Sequence, residues 1–282
     1  MKEDISLKIR QDVFKMAVRA NGGHIAPAYS MADIAAVLFF DDVLRYNPKE
    51  PEWIDRDYFI LSKGHGALAL YSALSLAGYF DRRELDSFCM PGSELGSLAR
   101  MGHVPGVEAT TGSLGHGLSF ATGIALACKM DKKNNHIYVL LGDGECQEGS
   151  VWEAVMAAAH HGLDNMTVII DYNKLQAMDS IDSIMSIRSF SERFAAFGFK
   201  TVDIDGHNLS EIKDALMMRE ENKPVAVIAH TIKGKGLSFM ENVPVWHYRI
   251  PNEDEMEIAL KELKLTREEL GTYEKCLFRN II

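Results

Sequence analysis

The sequence has little cysteine and no pattern that would give cysteine a function. Its four cysteines are not spaced like paired metal ligands: Cys89, Cys128, Cys146 and Cys276. No secretory signal precedes them, so we expect reduced thiols and a cytoplasmic location. The sequence also lacks an apolar run long enough to cross a membrane, an internal repeat and a low-complexity tract.

Excess positive charge is absent as well. Lysine and arginine total 30 against 40 acidic residues, a formal net charge of −10, which argues against nucleic acid or an anionic membrane as the main partner. With 282 residues, 47% of them hydrophobic, the chain can bury a large core. We expect one domain that spans residues 1–282.

The sequence does contain an alternation of strand and helix patterns. Apolar residues at helical spacing predict an N-terminal helix that stops at Asn21-Gly22-Gly23, and Ser30 with Asp33 predicts the cap of another helix. Strands are predicted at "DYFIL", "HIYVLL", "MTVIID", "KTVDI" and "PVAVIAH", with helical patterns between most of them. This alternation predicts a doubly wound α/β fold, with a parallel sheet, helices on both faces and a helical N-terminal part.

Polar side chains follow two of these strands. Asp143 comes directly after "HIYVLLG", and Asn173 follows "MTVIID" thirty positions later. Since one crossover helix separates the two strands, both side chains should lie at the same edge of the sheet. Mg²⁺ prefers oxygen ligands, takes few protein carboxylates and is completed by phosphate oxygens. Gly142 and Gly144 permit close backbone approach, so we expect a site for diphosphate and magnesium.

A "GDG" followed about thirty residues later by Asn after an apolar strand resembles the thiamine diphosphate motif. The resemblance implies that Asp143, the Asn173 side chain and the backbone carbonyl of Leu175 ligate Mg²⁺, and that Gly144 meets the diphosphate. The motif by itself also fits a 2-oxo acid dehydrogenase subunit or an acetolactate synthase.

The histidines distinguish among these enzymes. The segments "NGGHIAP", "SKGHG", "MGHVPGVEATTGSLGHG" and "WHYR" resemble, in order, those that hold the active-site histidines of transketolases. The family moves a two-carbon ketol unit from a ketose to an aldose, with proton transfers that suit imidazole. By resemblance, His65 and His247 contact the cofactor diphosphate, while His24 and His103 hydrogen-bond substrate oxygens. The aminopyrimidine ring of the cofactor would rest on Gly112, Ser113 and Leu114.

Three departures from the family lie on the substrate side. Ile25 and Ala26 replace the usual Pro and Gly, and the stretch from His103 to Gly106-Val107 is shorter than usual. His116 stands where most relatives carry Gln. Pentose and heptulose phosphates, the sugars of the pentose phosphate pathway in carbohydrate metabolism, are the expected substrates, and the departures allow a specialised ketose.

The chain resembles only the first half of a full-length transketolase. The missing half carries the glutamate that acts on the aminopyrimidine and the basic residues that hold sugar phosphate. The resemblance therefore implies the N-terminal subunit of a split enzyme, active only with a separate C-terminal subunit, in an α2β2 heterotetramer. A non-catalytic thiamine diphosphate-binding protein is the alternative from another class, and an NAD-linked oxidoreductase is disfavoured because no Gly-x-Gly-x-x-Gly turn opens a helix.

Overall fold

Five parallel β-strands form one sheet in the computed structural model, which describes residues 2–270, with side chains from residue 4 onward. The strands lie in the spatial order β1-β2-β3-β5-β4, and all neighbours are parallel. Each crossover contains at least one helix, as parallel pairing requires. The strand bounds are β1 (Tyr58–Leu61), β2 (Ile137–Gly142), β3 (Met166–Tyr172), β4 (Lys200–Asp205) and β5 (Val225–His230).

The helices cover both faces of this sheet, as predicted. Within residues 2–270 the α-helices are α1 (Lys2–Arg19), α2 (Ile25–Ser30), α3 (Ala32–Phe40), α4 (Ala67–Ala77), α5 (His116–Met130), α6 (Gly149–His160), α7 (Ile181–Met185), α8 (Phe190–Ala196), α9 (Leu209–Met217), α10 (Glu253–Glu262) and α11 (Arg267–Leu270). Short 3₁₀ helices are formed by Gly64–Gly66, Arg82–Ser87, Gly144–Gln147 and Pro244–Tyr248. Between residue 89 and α5 the chain forms only turns and irregular structure.

Alternate residues of each central strand pack into two separate cores. In β2, Tyr138 and Leu140 face the core formed with α1 to α4, α9 and α10, while Val139 and Leu141 face the core formed with α5, α6 and α8. Because both faces are covered, the central strands are almost continuously apolar. The edge strand β4 instead carries exposed charged residues.

The predicted helix cap at Ser30 and Asp33 is wrong. Ser30 is the last residue of α2, and α3 begins after Met31 without a side-chain cap. Both polar side chains make tertiary contacts instead: the Ser30 hydroxyl donates to Asp171, and Asp33 pairs with Arg10 at 2.6 Å. Long-range partners outcompete the local hydrogen bonds that the motif alone would form.

The chain reverses its winding between β3 and β5. After β3 it turns to the face that carries α7 and α8, and after β5 it turns to the opposite face, where Leu237, Met240 and Trp246 join the other core. In an open parallel sheet such a reversal leaves a crevice at the carboxyl ends of the strands. A ligand site is therefore expected at this edge of the sheet.

The predictions about cysteine thiols and membrane-spanning segments can be compared with the described residues. Cys128 and Cys146 carry buried thiols outside any disulfide, whereas Cys276 lies outside the described residues. Within residues 2–270, no helix combines the length and the apolar character that a membrane crossing requires.

His136 is buried directly ahead of β2. Its Nε2 lies 2.9 Å from the Thr167 hydroxyl, and its ring lies 4.6 Å from that of Tyr138. Burial, reinforced by the charges of Arg219 and Arg45, holds the pKa of this imidazole well below its ordinary value. The folded protein therefore keeps His136 neutral where the unfolded chain becomes protonated.

We predict that His136→Gln makes stability less sensitive to acid. Because the pKa of His136 is lowered in the folded state, this group does not change the free energy of unfolding above the unfolded-state pKa of about 6.5. Below that pH, the wild type loses about 1.4 kcal/mol of unfolding free energy per pH unit through His136. Denaturant unfolding at pH 7, 6 and 5 measures the slope. The exposed His161 provides the matched control, His161→Gln, and equal slopes for both variants would contradict the assignment.

Candidate active site

Polar side chains gather where β1, β2, β3 and β5 end. Lys63 follows β1, Asp143 follows β2, Asn173 follows β3 and Lys233 follows β5, and all four are buried. β2 and β3 are neighbours, as predicted from the single crossover helix between them. The two turns singled out in the sequence therefore lie side by side at the carboxyl edge.

The turns after β2 and β3 are joined through Asp143. Its Oδ1 accepts from the Gly144 amide at 2.7 Å, and its Oδ2 accepts from the Lys174 amide at 2.6 Å. Asn173 Oδ1 accepts from the Leu175 amide at 3.1 Å. The carboxylate and the carboxamide are thus held by backbone donors, which gives both side chains a defined orientation.

The environment of Asp143 opposes its negative charge. Burial, followed by the nearby charge of Asp171, raises the pKa of Asp143 to about 7, although the two amide hydrogen bonds counteract the rise. A cation at this carboxylate would relieve the desolvation. Among residues 2–270 no group of three or more His, Cys, Asp or Glu side chains is placed to hold a metal ion. Besides the Asp143 carboxylate, an ion here would therefore need carboxamide, backbone carbonyl and ligand oxygens.

A fully buried ion pair lies behind these turns. Lys63 pairs with Asp171, and neither side chain is exposed to solvent. Asp171 also accepts from the hydroxyls of Ser30, at 2.5 Å, and Thr231. Burial raises the pKa of Asp171, but the Lys63 charge and these hydrogen bonds outweigh it, so the pKa lies below its ordinary value.

Three of the four predicted histidines come together in front of this pair. The ring centroids of His24 and His247 are 5.3 Å apart, those of His65 and His247 5.5 Å, and those of His24 and His65 5.8 Å. Tyr248 packs edge-on against His24 at 4.7 Å. The three histidines come from segments far apart in the chain: before α2, after β1 and in the 3₁₀ turn Pro244–Tyr248. Local sequence spacing therefore does not predict that they meet.

The three histidines are neutral at neutral pH. Burial, followed by the charge of Lys233, lowers the pKa of His24 to about 4 and that of His247 to about 3. Burial, followed by the charge of Lys63, holds the pKa of His65 well below its ordinary value. Each ring therefore offers one N–H donor and one nitrogen acceptor.

Lys233 fixes the tautomer of His247. Its ammonium group donates to the carbonyl of Leu175 at 3.1 Å, to the carbonyl of Gln176 at 2.8 Å and to His247 Nδ1 at 2.9 Å. Because an ammonium group only donates, Nδ1 accepts and the ring proton is assigned to Nε2. Burial, followed by the Lys63 charge, lowers the pKa of Lys233 to about 8.

Glu145 ties the long loop to the sheet. Its carboxylate accepts from the Ser62 hydroxyl, from the Gly115 amide at 2.8 Å and from the Gly142 amide at 3.0 Å. Burial raises its pKa, against the effect of these donors. The carboxylate thus connects the ends of β1 and β2 with the start of α5, a positioning role that sequence reasoning missed.

The end of the loop packs over the turn that carries His65. A Cβ atom at Gly64 would lie 2.8 Å from the Thr111 hydroxyl and 3.0 Å from the Gly112 amide nitrogen. Glycine at position 64 is what allows this approach. The predicted aminopyrimidine platform continues along the same segment through Gly112, Ser113 and Leu114, and Ser113 and Gly112 are exposed.

His103 is not brought into the histidine cluster. It is exposed within the loop, and its Nδ1 lies 2.5 Å from Glu94. The residues around it border a cavity of about 1000 Å³ together with Trp53, Arg56 and Glu108. His103 therefore lies among different residues from the other three histidines.

Sequence reasoning missed Lys63 and Lys233, and a signal for them was present. Lys63 is the second residue after β1 and Lys233 is the third after β5, and both stand beside glycines, in "SKGHG" and "TIKGKG", a pattern similar to the one that pointed to Asp143. Asp171 had no such signal, because it lies within the apolar strand β3.

The family model described as "Transketolase, thiamine diphosphate binding domain" matches residues 2–272. The chain is 38% identical over 271 residues to one of the subunits of apulose-4-phosphate transketolase from Phocaeicola vulgatus, covering 94% of each protein. It is 41% identical to 6-deoxy-6-sulfo-D-fructose transketolase subunit SqwG of a Clostridium species over 244 residues, covering 86% of this chain and 88% of that protein.

Solved transketolases share the fold over a part of their length. The enzyme from Leishmania mexicana superposes with a TM-score of 0.88 at 27% identity, covering 97% of this chain and 42% of that one. The enzyme from Campylobacter jejuni gives a TM-score of 0.86 at 31% identity, covering 96% and 44%. The chain therefore spans less than half the length of these solved enzymes.

We predict that Asp171→Ala destabilises the protein by about 3–5 kcal/mol, because it leaves the Lys63 charge buried without a partner. The double variant Lys63→Met/Asp171→Ala should be more stable than Asp171→Ala by itself. Chemical denaturation of the single and double variants measures this coupling. Glu257→Ala, which removes an exposed ion pair with Arg267, is the control and should change little. Additive losses in the double variant would contradict the coupling.

Proposed function

The chain belongs to the transketolase family, and we propose that it is the diphosphate-binding subunit of a two-subunit enzyme that transfers a ketol unit from a ketose to an aldose. The observation that carries this proposal is the convergence of three neutral histidines, two buried lysines and the Asp143–Asn173 turns at one sheet edge. Near-complete coverage of two proteins that are named as transketolase subunits supports the division of the enzyme into two chains.

We propose thiamine diphosphate and Mg²⁺ as cofactors. The residues present fit them: one buried carboxylate, one carboxamide oxygen and one carbonyl suit a cation whose remaining ligands are phosphate oxygens. Asp143, Asn173 and Leu175 would hold the Mg²⁺. Lys63 and Lys233 contribute positive charge at the same edge, which favours a diphosphate.

The remaining cofactor contacts are proposed from the resemblance and the positions described above. His65 and His247 would approach the diphosphate end, because Lys233 bonds both His247 and the Leu175 carbonyl, and His65 packs against His247. Gly144 would allow close backbone approach. The aminopyrimidine would rest on the loop end that packs on Gly64, which consists of Gly112, Ser113 and Leu114.

When bound, thiamine diphosphate supplies the carbon that attacks the ketose carbonyl. The protein residues supply hydrogen bonds and proton exchange around it. His247 presents Nε2–H, since Lys233 occupies Nδ1. His24 and His65, also neutral, can each give or take a proton at a substrate oxygen without holding a charge beforehand. His103 stays a prediction, because its imidazole bonds Glu94 in this chain.

The substrate is proposed to be a ketose with an anionic group at its far end. Two relatives are named for apulose 4-phosphate and for 6-deoxy-6-sulfo-D-fructose, and both sugars carry such a group. Tyr248 packs against His24, and an aromatic ring at this position would favour a specialised ketose over a broad set. Pentose and heptulose phosphates of the pentose phosphate pathway remain the alternative substrates.

A separate C-terminal subunit is proposed as partner, in an α2β2 assembly. Apolar side chains next to the candidate site are exposed in this chain, with Met178 at 88% and Val245 at 60%. A partner that completes the site would cover them. Retention of the histidine cluster argues against the alternative of a non-catalytic thiamine diphosphate-binding protein, since storage of the cofactor needs no substrate-side proton donors.

We predict that Asp143→Ala abolishes Mg²⁺-dependent binding of thiamine diphosphate, because the cation loses its one anionic protein ligand. Titration calorimetry of the purified chain with cofactor and Mg²⁺ measures the affinity. Asp182→Ala, an exposed position in α7, is the control and should bind normally. Unchanged affinity in the Asp143 variant would refute the proposed metal site.

We predict that the purified chain has no transketolase activity by itself, whatever cofactor and Mg²⁺ are added. Glu145 cannot replace an acid from a partner, because all its hydrogen bonds run to Ser62, Gly115 and Gly142. The assay is ketose cleavage with and without the C-terminal partner, and the Asp143→Ala chain mixed with that partner serves as the control. Turnover by the chain alone, at a rate near that of the pair, would show that it is not half an enzyme.

A further inference from the structure

The backbone amides of the two turns and both lysines at the candidate diphosphate site are engaged within the protein, whereas His247 keeps its Nε2–H. Four backbone amides of the two turns already have acceptors: Gly144 and Lys174 donate to Asp143, Leu175 donates to Asn173, and Gln176 donates to the Asp179 carbonyl at 2.9 Å. An anion bound here would therefore have to break one of these hydrogen bonds or meet another donor.

Lys233 does not provide a free donor either. An ammonium group has three N–H bonds, and Lys233 uses three, toward Leu175, Gln176 and His247. Its charge attracts an anion to the site, but its donors hold the surrounding turns. Lys63 also uses three, toward Asp171, the Pro27 carbonyl and, at 3.5 Å, the Ser30 hydroxyl oxygen.

The side-chain amide of Gln176 differs from these amides and lysines. Its Nε2 is buried and has no hydrogen-bond partner. The other such atoms in the described part of the chain belong to residues outside the turns after β2 and β3: Ser6, Arg10, Arg82, Asn135 and Asn165. A buried donor without an acceptor costs about 1–3 kcal/mol, so its retention needs a reason.

Gly144 positions this side chain. A Cβ atom at residue 144 would lie 2.9 Å from Gln176 Cγ and 3.1 Å from Nε2, so only glycine leaves room for it. The backbone of Gln176 is held at both ends, by the Asp179 carbonyl and by Lys233. The amide is thus fixed directly over the turn that carries Asp143.

We propose that the Gln176 side-chain amide donates a hydrogen bond to a diphosphate oxygen of the bound cofactor. This inference rests on the proposed function and assigns a binding residue that lies outside the Asp143–Asn173 motif. A neutral donor suits the position, because it supplies a strong hydrogen bond to an anion without adding a third buried cation beside Lys63 and Lys233.

Gln176→Met tests the proposal, because methionine keeps the length of the side chain and removes the donor. The affinity of the full chain for Mg²⁺–thiamine diphosphate should fall about 10- to 100-fold, and that for Mg²⁺–pyrophosphate should fall equally. Thiamine, which lacks the diphosphate, should bind both proteins alike. The melting temperature without ligand should stay the same or rise, since an unsatisfied donor has been removed.

Gln147→Met is the matched control, since Gln147 follows β2 at the same edge but donates to the Met185 carbonyl at 2.7 Å. It should leave the affinity for both phosphorylated ligands unchanged. Two results would overturn the inference: normal diphosphate affinity in Gln176→Met, or a fall in ligand-free melting temperature that indicates a structural role. Failure of the wild-type chain to bind Mg²⁺–thiamine diphosphate would instead overturn the proposed function, and this inference with it.

Discussion

The ion pair between Lys63 and Asp171 holds together the segments that build the candidate site. Lys63 comes from the turn after β1 and Asp171 from β3, while Ser30 of α2 and Thr231 after β5 donate to the same carboxylate. Two buried charges are tolerable only when each stays paired and hydrogen-bonded. If one of these segments moved, a buried charge would lose its partner. The ion pair therefore restrains His24, His65 and Lys233, which lie beside these residues.

Burial and these charges together set the protonation states in front of the pair. Burial, followed by the charges of Lys63 and Lys233, keeps the histidine cluster neutral, and burial together with Asp171 raises the pKa of Asp143 to about 7. The site therefore combines positive charge that attracts an anion with imidazoles that can exchange protons. A protein with a net charge of −10 can bind a diphosphate because these cations are concentrated at one edge.

Local pattern was enough for the architecture. The central strands are short apolar runs with helical patterns between most of them, and parallel strand ends meet at one edge whatever the details of the loops. That rule places Asp143 and Asn173 together from the sequence, and β2 and β3 are indeed neighbours. Ser30 and Asp33 show its limit, because a local capping motif lost to partners far along the chain.

The sequence by itself determined the strand and helix order, the two polar turns and, through family resemblance, which histidines to examine. Tertiary structure decided which residues meet. It joined Lys63 to Asp171, 108 positions apart, brought His24, His65 and His247 together while leaving His103 on the loop with Glu94, and left Gln176 Nε2 without an acceptor. The physical reason is that burial and hydrogen-bond satisfaction belong to the packed chain: whether a polar group is paired depends on every segment that surrounds it, and sequence spacing carries no record of those neighbours.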